Sequence, residues 1–134
     1  MSNSVATGVA YADPEFTTCY ASAEIGYSAA AQGTVTQLTD KTTAVTLNKS
    51  SGRITMNSAA LAGNTAVSFT LNNSLLSAND TVIVCISGGA TTGAYTSYVT
   101  SLTTGSAILT LRNLTGTSYS EAVILNYAII HGAS

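Results

Sequence analysis

The side chains best suited to acid–base or metal chemistry are few in this chain and far apart in sequence. His131 is the only histidine, and its nearest acid in the sequence is Glu121. A glycosidase needs two opposed carboxylates, and no two acids here have the spacing of a known motif. We therefore expect no catalytic residue, no metal site, no cofactor and no enzymatic activity such as glycan hydrolysis. The acids are Asp13, Glu15, Glu24, Asp40, Asp80 and Glu121.

The two cysteines are the only candidate nucleophiles with redox chemistry. Cys85 lies within an apolar run, where a small buried thiol is the simplest interpretation. Cys19 lies in a region of mixed composition near the N-terminus. A disulfide between Cys19 and Cys85 is the less favoured alternative, because residues 1–16 have neither the basic nor the apolar region of a Sec signal peptide.

Tyrosines could bind a protein or a sugar. Tyr95, Tyr98 and Tyr119 form an exposed aromatic patch in one interpretation, and such edges suit protein or sugar contacts. In the other interpretation, which we favour, their rings pack across neighbouring strands. We retain Tyr95 and Tyr98 as candidate interaction residues.

The charge content is low and limits the classes of partner. Charged residues make up 7% of the 134 residues, against a typical value of about 25%. Either Ser, Thr and Asn supply the polar surface, or much of the surface is buried against other chains. The net charge of −2 and four scattered basic residues give no footprint for nucleic acid. The sequence has no polybasic or amphipathic segment, so we expect no membrane partner.

Residues 119–131 hold the longest apolar run, and we expect the fold to be organised around them. A Val-, Ile- and Leu-rich run of this length predicts a central β-strand covered on both faces. Residues 65–72 give the clearest alternation, with Val67, Phe69 and Leu71 on one face. Residues 81–87 predict a second strand buried on both faces. Residues 49–52 predict a hairpin turn.

Turn signals separate short strands at about the spacing of an all-β domain. We predict an antiparallel β-sandwich or jelly roll of about seven or eight strands. The predicted strands are residues 34–39, 43–48, 53–57, 65–72, 81–87, 94–102, 106–114 and 119–131.

Residues 1–33 differ from the rest, because no helical or strand period persists in them. We predict an N-terminal arm over residues 1–33, with a short edge strand at residues 16–22, and a β-domain over residues 34–134. The arm contributes Pro14, Phe16 and Tyr20 as candidate interaction residues.

Several short motifs in residues 33–131 resemble a module of structural proteins from tailed bacteriophages. They are GTVTQLTDK at residues 33–41, VTLN at 45–48, GRITMN at 52–57, VSFTLNN at 67–73, the later SGG…GAYT and RNLTG, and the closing SEAVILNYAII. The resemblance implies a virion protein made in the host cytoplasm. With one β-domain and an arm, the chain resembles head decoration, or cement, proteins, which are typically trimers that bridge capsomers.

Two functions follow from that resemblance. The first is a decoration protein on the capsid surface, whose partner is the shell of major capsid protein and whose contacts come from residues 1–33 and the loop tips. The alternative is a tail-fibre or tail-spike module that binds a host surface glycan or protein, through Tyr95, Tyr98 and the glycine-rich loop before them.

Overall fold

Two four-stranded sheets pack face to face in the computed structural model, which describes residues 15–133. The predicted β-sandwich is confirmed. A 3₁₀ helix spans Ala29–Ala31. The strands are β1 (Gln32–Thr36), β2 (Val45–Thr46), β3 (Ser51–Thr55), β4 (Ala66–Asn72), β5 (Thr81–Gly88), β6 (Tyr95–Thr103), β7 (Ser106–Asn113) and β8 (Ile124–Ile130).

The chain changes sheet at almost every connection. Sheet A has the order β1-β3-β8-β5, and sheet B has the order β2-β4-β7-β6. Among the named strands, only β6 and β7 are consecutive and paired, through a turn in which Gly105 has a φ of 84°. The predicted hairpin turn at residues 49–52 is wrong, because β2 and β3 belong to different sheets. The sheets are also mixed, since β1–β3 and β2–β4 are parallel pairs.

The closing strand is central, as predicted, because β8 lies between β3 and β5. Its inward side chains, Leu125, Tyr127 and Ile129, are buried in the core between the sheets. The prediction that both faces are covered is wrong: Asn126 and Ile130 are exposed on the outer face.

The alternation predicted for β4 is confirmed, and the one predicted for β5 is not. In β4, Phe69 and Leu71 are buried while Ser68 is exposed. In β5, exposed residues alternate with half-buried ones, so that Cys85 is exposed instead of buried. A run that is apolar at every position does not reveal which parity faces solvent, and β5 lies at the edge of sheet A.

Three buried amide side chains hold the loops at the ends of the sandwich. Gln37, Asn73 and Asn113 are almost fully buried, and each satisfies its polar atoms with loop backbone groups. For example, Gln37 Nε2 donates to the Lys41 and Thr43 carbonyl oxygens at 3.1 and 2.9 Å. Because an unpaired buried polar group is costly, these hydrogen bonds fix one conformation for each loop.

The segment before β1 contains no strand within residues 15–31. The short edge strand predicted at residues 16–22 is not formed, and residues 15–30 are all exposed. Within residues 15–133, no helix has the length and apolar character needed to cross a membrane.

Candidate interaction surfaces

The arm, which we define as residues 15–26, presents large apolar side chains to solvent. Phe16, Tyr20 and Ile25 are 68%, 92% and 86% exposed. Exposed hydrophobic groups at this density are unusual on a monomer and typically mark an interaction site. Phe16 and Tyr20 are two of the predicted interaction residues, and the third arm candidate, Pro14, lies outside the described residues.

The residues that follow the arm attach it to one end of sheet A. The Tyr27 hydroxyl donates to the Ile129 carbonyl oxygen in β8. Gln32 Nε2 donates to the Tyr27 carbonyl oxygen at 3.1 Å, and Lys49 Nζ donates to the Ala30 carbonyl oxygen at 2.9 Å. The start of β1 and the β2–β3 loop thus determine where the arm leaves the domain.

The outer face of sheet A has an apolar half on β5 and β8. Ile83 and Ile130 are more than half exposed, Cys85 is exposed, and Ala128 is half-buried. Ile83 is paired with Ala128 in the ladder, so these side chains form one continuous surface. This face is not evident from the sequence, because the apolar runs of β5 and β8 predict strands that are covered on both faces.

The other half of the same face is polar and concave. A groove of roughly 470 Å³ lies over β1, β3 and β8, with Arg53 as its only charged lining residue. Arg53 is exposed, and within residues 15–133 it forms no salt bridge. The remaining lining residues are Gln32, Gly33, Thr34, Ser51, Gly52 and Asn126.

Two exposed leucines lie at the end of the sandwich where β3 and β7 finish. Leu38 is 86% exposed and Leu114 is 52% exposed. Each directly follows a buried amide, Gln37 or Asn113. Asn113 Nδ2 donates to the Leu61 and Thr117 carbonyl oxygens at 3.1 and 2.8 Å. Both leucines are therefore presented from fixed backbone, and their burial by a partner would cost little backbone entropy.

A polar network at the same end of the sandwich joins Thr91, the start of β6 and Glu121. The Tyr95 hydroxyl donates to Glu121 Oε2 at 2.8 Å, and the Thr91 hydroxyl donates to Oε1 at 2.6 Å. These hydrogen bonds lower the pKa of Glu121. Burial, together with the bond to Glu121, raises the pKa of Tyr95. Burial lowers the pKa of Lys41, whose Nζ donates to the Glu121 carbonyl oxygen at 2.6 Å.

The tyrosines expected at a patch lie on opposite faces of sheet B. Tyr95 is buried and packs against Tyr119, with ring centroids 6.0 Å apart and planes tilted by 57°. Tyr95 therefore contributes to the core and not to an exposed patch, as in the favoured packing interpretation. Tyr98 is exposed on the outer face of sheet B, where it is paired with Thr110 of β7.

His131 has a partner that sequence spacing did not reveal. Its Nδ1 lies 3.3 Å from Oδ2 of Asp80, the residue that directly precedes β5. Asp80 also accepts from the backbone N–H groups of Ser77 and Gly132, at 2.8 and 2.9 Å. This pair ties the end of β8 to the start of β5. Among residues 15–133, no three His, Cys, Asp or Glu side chains are grouped to hold a metal ion.

Comparison with known proteins leaves the surfaces themselves as the basis for inferring function. No protein-family model, no curated protein and no solved structure matches this chain.

Proposed function

We propose that this protein decorates the assembled head shell of a tailed bacteriophage and stabilises it by bridging capsomers. The observation that carries the proposal is the pair of exposed leucines, Leu38 and Leu114, on loops that buried amides hold rigid. The resemblance of residues 33–131 to phage structural modules supplies the class of partner. The low charge content favours apolar contacts, which ionic screening affects little.

Stabilisation would follow from mass action. A protein that binds the assembled shell and not free capsomers shifts the equilibrium toward the shell. An all-β domain with preorganised loop tips suits that role, since it keeps its shape on binding. In this proposal the protein is a homotrimer of the virion surface, and the leucine-bearing end contacts the major capsid protein.

Co-sedimentation with empty phage heads that lack this protein tests the proposal. The wild-type protein should pellet with heads, and a Leu38→Ser/Leu114→Ser variant should bind at least tenfold more weakly, because each leucine contributes about 1.5–3 kcal/mol when fully buried. Leu75→Ser is the matched control, because Leu75 is 45% exposed at the opposite end of the sandwich. Wild-type protein that stays in the supernatant, or equal weakening by the control, would contradict the proposal.

The polar groove favours a second candidate, a tail-fibre or tail-spike module that binds a host glycan. Arg53 and Asn126 offer guanidinium and amide groups to sugar hydroxyls or carboxylates from the groove of roughly 470 Å³. Tyr98 is exposed on the outer face of sheet B, away from this groove, and offers a separate ring for stacking on a sugar, whereas Tyr95 is buried. Glycan-array binding that is lost in Arg53→Ala or Tyr98→Ala, together with no binding to heads, would support this alternative and reject the first.

A further inference from the structure

We infer that the arm of one copy docks on the outer face of sheet A of a second copy, so that the protein assembles by exchange of arms. Phe16, Tyr20 and Ile25 would cover the apolar half of that face, and an arm glutamate would pair with Arg53 in the polar half. This inference concerns a surface other than the Leu38 and Leu114 loops and does not depend on the proposed function.

The arm and the face are complementary in two respects. Both are apolar and exposed, which is costly for each alone. Their charges are opposite: the arm carries Glu15 and Glu24 and no basic residue, while Arg53 is the only charged residue on the outer face of sheet A. An ion pair between Arg53 and an arm glutamate at the rim of this contact would determine the register of the arm more than the affinity of the contact.

The spacing of the residues is compatible with simultaneous contact. Arg53 is paired with Asn126, and Asn126 is paired with Cys85, so the three lie in one row across β3, β8 and β5. Two strand spacings separate Arg53 from Cys85 by about 10 Å. In the arm, Cys19 lies between Glu15 and Glu24, each about 13–17 Å away when the chain is extended. An arm with Cys19 near Cys85 therefore reaches Arg53 with a carboxylate. The arm bends at Thr17, Ser22 and Ala23, so its side chains do not follow the strict alternation of a strand, and Phe16 and Tyr20 can contact the same face as Cys19.

The occupant is a second copy because the arm does not lie on the face of its own chain. Tyr27 and Ala30 are bonded at the end of sheet A, yet residues 15–30 are exposed throughout. One chain thus offers both halves of the contact without using either. An arm-to-face contact joins two different patches, so it closes either as a reciprocal pair or as a ring such as a trimer.

The two native cysteines allow a direct test in the full-length protein. Diamide oxidises two neighbouring thiols to a disulfide and takes up their two electrons and two protons. We expect a Cys19–Cys85 disulfide between copies, seen as a multimer on non-reducing gels and identified by mass spectrometry. Cys19→Ser alone and Cys85→Ser alone should give no cross-link, and mixing these two variants should restore it.

A charge reversal tests the register independently. Light scattering on a sizing column should show the wild type as a dimer or trimer. Arg53→Glu should raise the concentration at which half of the protein is assembled at least tenfold. Glu15→Lys/Glu24→Lys should have the same effect, and combining all three substitutions should restore assembly. Arg112→Glu is the matched control, because Arg112 is exposed on the outer face of sheet B.

Three results would overturn the inference. They are a wild type that is monomeric at all concentrations, a Cys19–Cys85 disulfide that forms only within one chain, and cross-links that join only like cysteines. Arm variants that keep the wild-type mass but lose head binding would identify the shell as the occupant of the arm. The Leu38→Ser/Leu114→Ser variant should keep the wild-type mass, which separates this inference from the proposed function.

Discussion

Asn113 is fully buried, and Leu114, the next residue, is 52% exposed. The buried amide makes four hydrogen bonds, three of them to the loop that continues past Leu114. It donates to the Thr117 carbonyl oxygen and accepts from the Thr115 N–H and hydroxyl groups at 3.0 and 2.8 Å, and its fourth bond is donated to the Leu61 carbonyl oxygen. The same arrangement joins Gln37 to Leu38. The loops therefore combine an exposed apolar tip with a base whose conformation the core determines.

Replacing Asn113 with alanine should destabilise the protein strongly. The substitution removes the four hydrogen bonds of the fully buried amide to Leu61, Thr115 and Thr117, and each lost hydrogen bond costs about 0.5–1.5 kcal/mol. We expect urea unfolding to show a loss of about 2–4 kcal/mol. Asn72→Ala, at an exposed position of β4, is the control and should change stability by less than about 0.5 kcal/mol. Equal effects of the two substitutions would show that the buried amide does not hold the loop.

Asp80 should make stability depend on pH in the acid range. Hydrogen bonds from the Ser77 and Gly132 backbone N–H groups, and the nearby His131, lower the pKa of Asp80 below its ordinary value of 3.8. The unfolded chain therefore takes up the proton first. The stabilisation is complete above the unfolded-state pKa and is lost as the pH falls through the lower folded-state value.

Melting temperatures from pH 6 to pH 2 measure this effect. Asp80→Asn should melt lower than wild type at pH 6, and the difference should shrink toward pH 2. Asn72→Ala, at an exposed position of β4 outside the arm, should follow the wild-type curve. A constant difference between Asp80→Asn and wild type over the whole range would contradict the assignment.

Sequence patterning predicted the β-sandwich from the turn spacing and the central position of β8 from the longest apolar run, although that run overstated the burial of the outer face of β8. It did not predict which strands pair. The short connection after β2 has the composition of a hairpin turn, yet it carries the chain from sheet B to sheet A. Parallel pairing of β1 with β3 depends on contacts distant in sequence, and no local signal encodes it.

The interaction surfaces were only partly predictable. Phe16 and Tyr20, in the segment without periodicity, are exposed as an interaction role requires, and that role stays a prediction. The outer face of sheet A was not recognisable, because Ile83 and Cys85 belong to a run that is apolar on both parities. The pairing of Asp80 with His131 was not predictable from sequence spacing, since it depends on the fold that brings β5 and β8 together.

Two glycines of the β5–β6 loop should respond differently to alanine. Gly89 and Gly93 both have positive φ, 66° and 75°, so both substitutions cost about 1 kcal/mol of backbone strain. A Cβ at Gly89 would also collide with the Ala122 carbonyl oxygen, whereas no atom lies within 4 Å of a Cβ at Gly93. We expect Gly89→Ala to be the more destabilising by at least about 1 kcal/mol in urea unfolding. Equal losses of stability in the two variants would indicate that the cost comes from the positive φ alone and not from the contact with Ala122.

Tyr127 should cause stability to fall at high pH. Its hydroxyl donates to the Lys49 carbonyl oxygen at 2.9 Å and accepts from Asn73 Nδ2 at 3.3 Å. Burial raises the pKa of Tyr127 from 10.0 to about 12. Between these values the unfolded chain ionises and the native protein does not, so the stability present below pH 10 is lost as the pH rises.

Urea unfolding from pH 8 to pH 12 on wild type and Tyr127→Phe checks this dependence. At pH 8 the variant should be less stable by about 1 kcal/mol, because one hydrogen bond is lost. Above pH 10 the stability of the variant should fall less steeply than that of the wild type. The remaining slope comes from buried Tyr95, whose pKa is also raised. Tyr98→Phe, at an exposed position, should keep the wild-type slope. Parallel slopes for wild type and Tyr127→Phe would show that Tyr127 ionises equally well in the folded protein, contrary to its burial against β2 and β3.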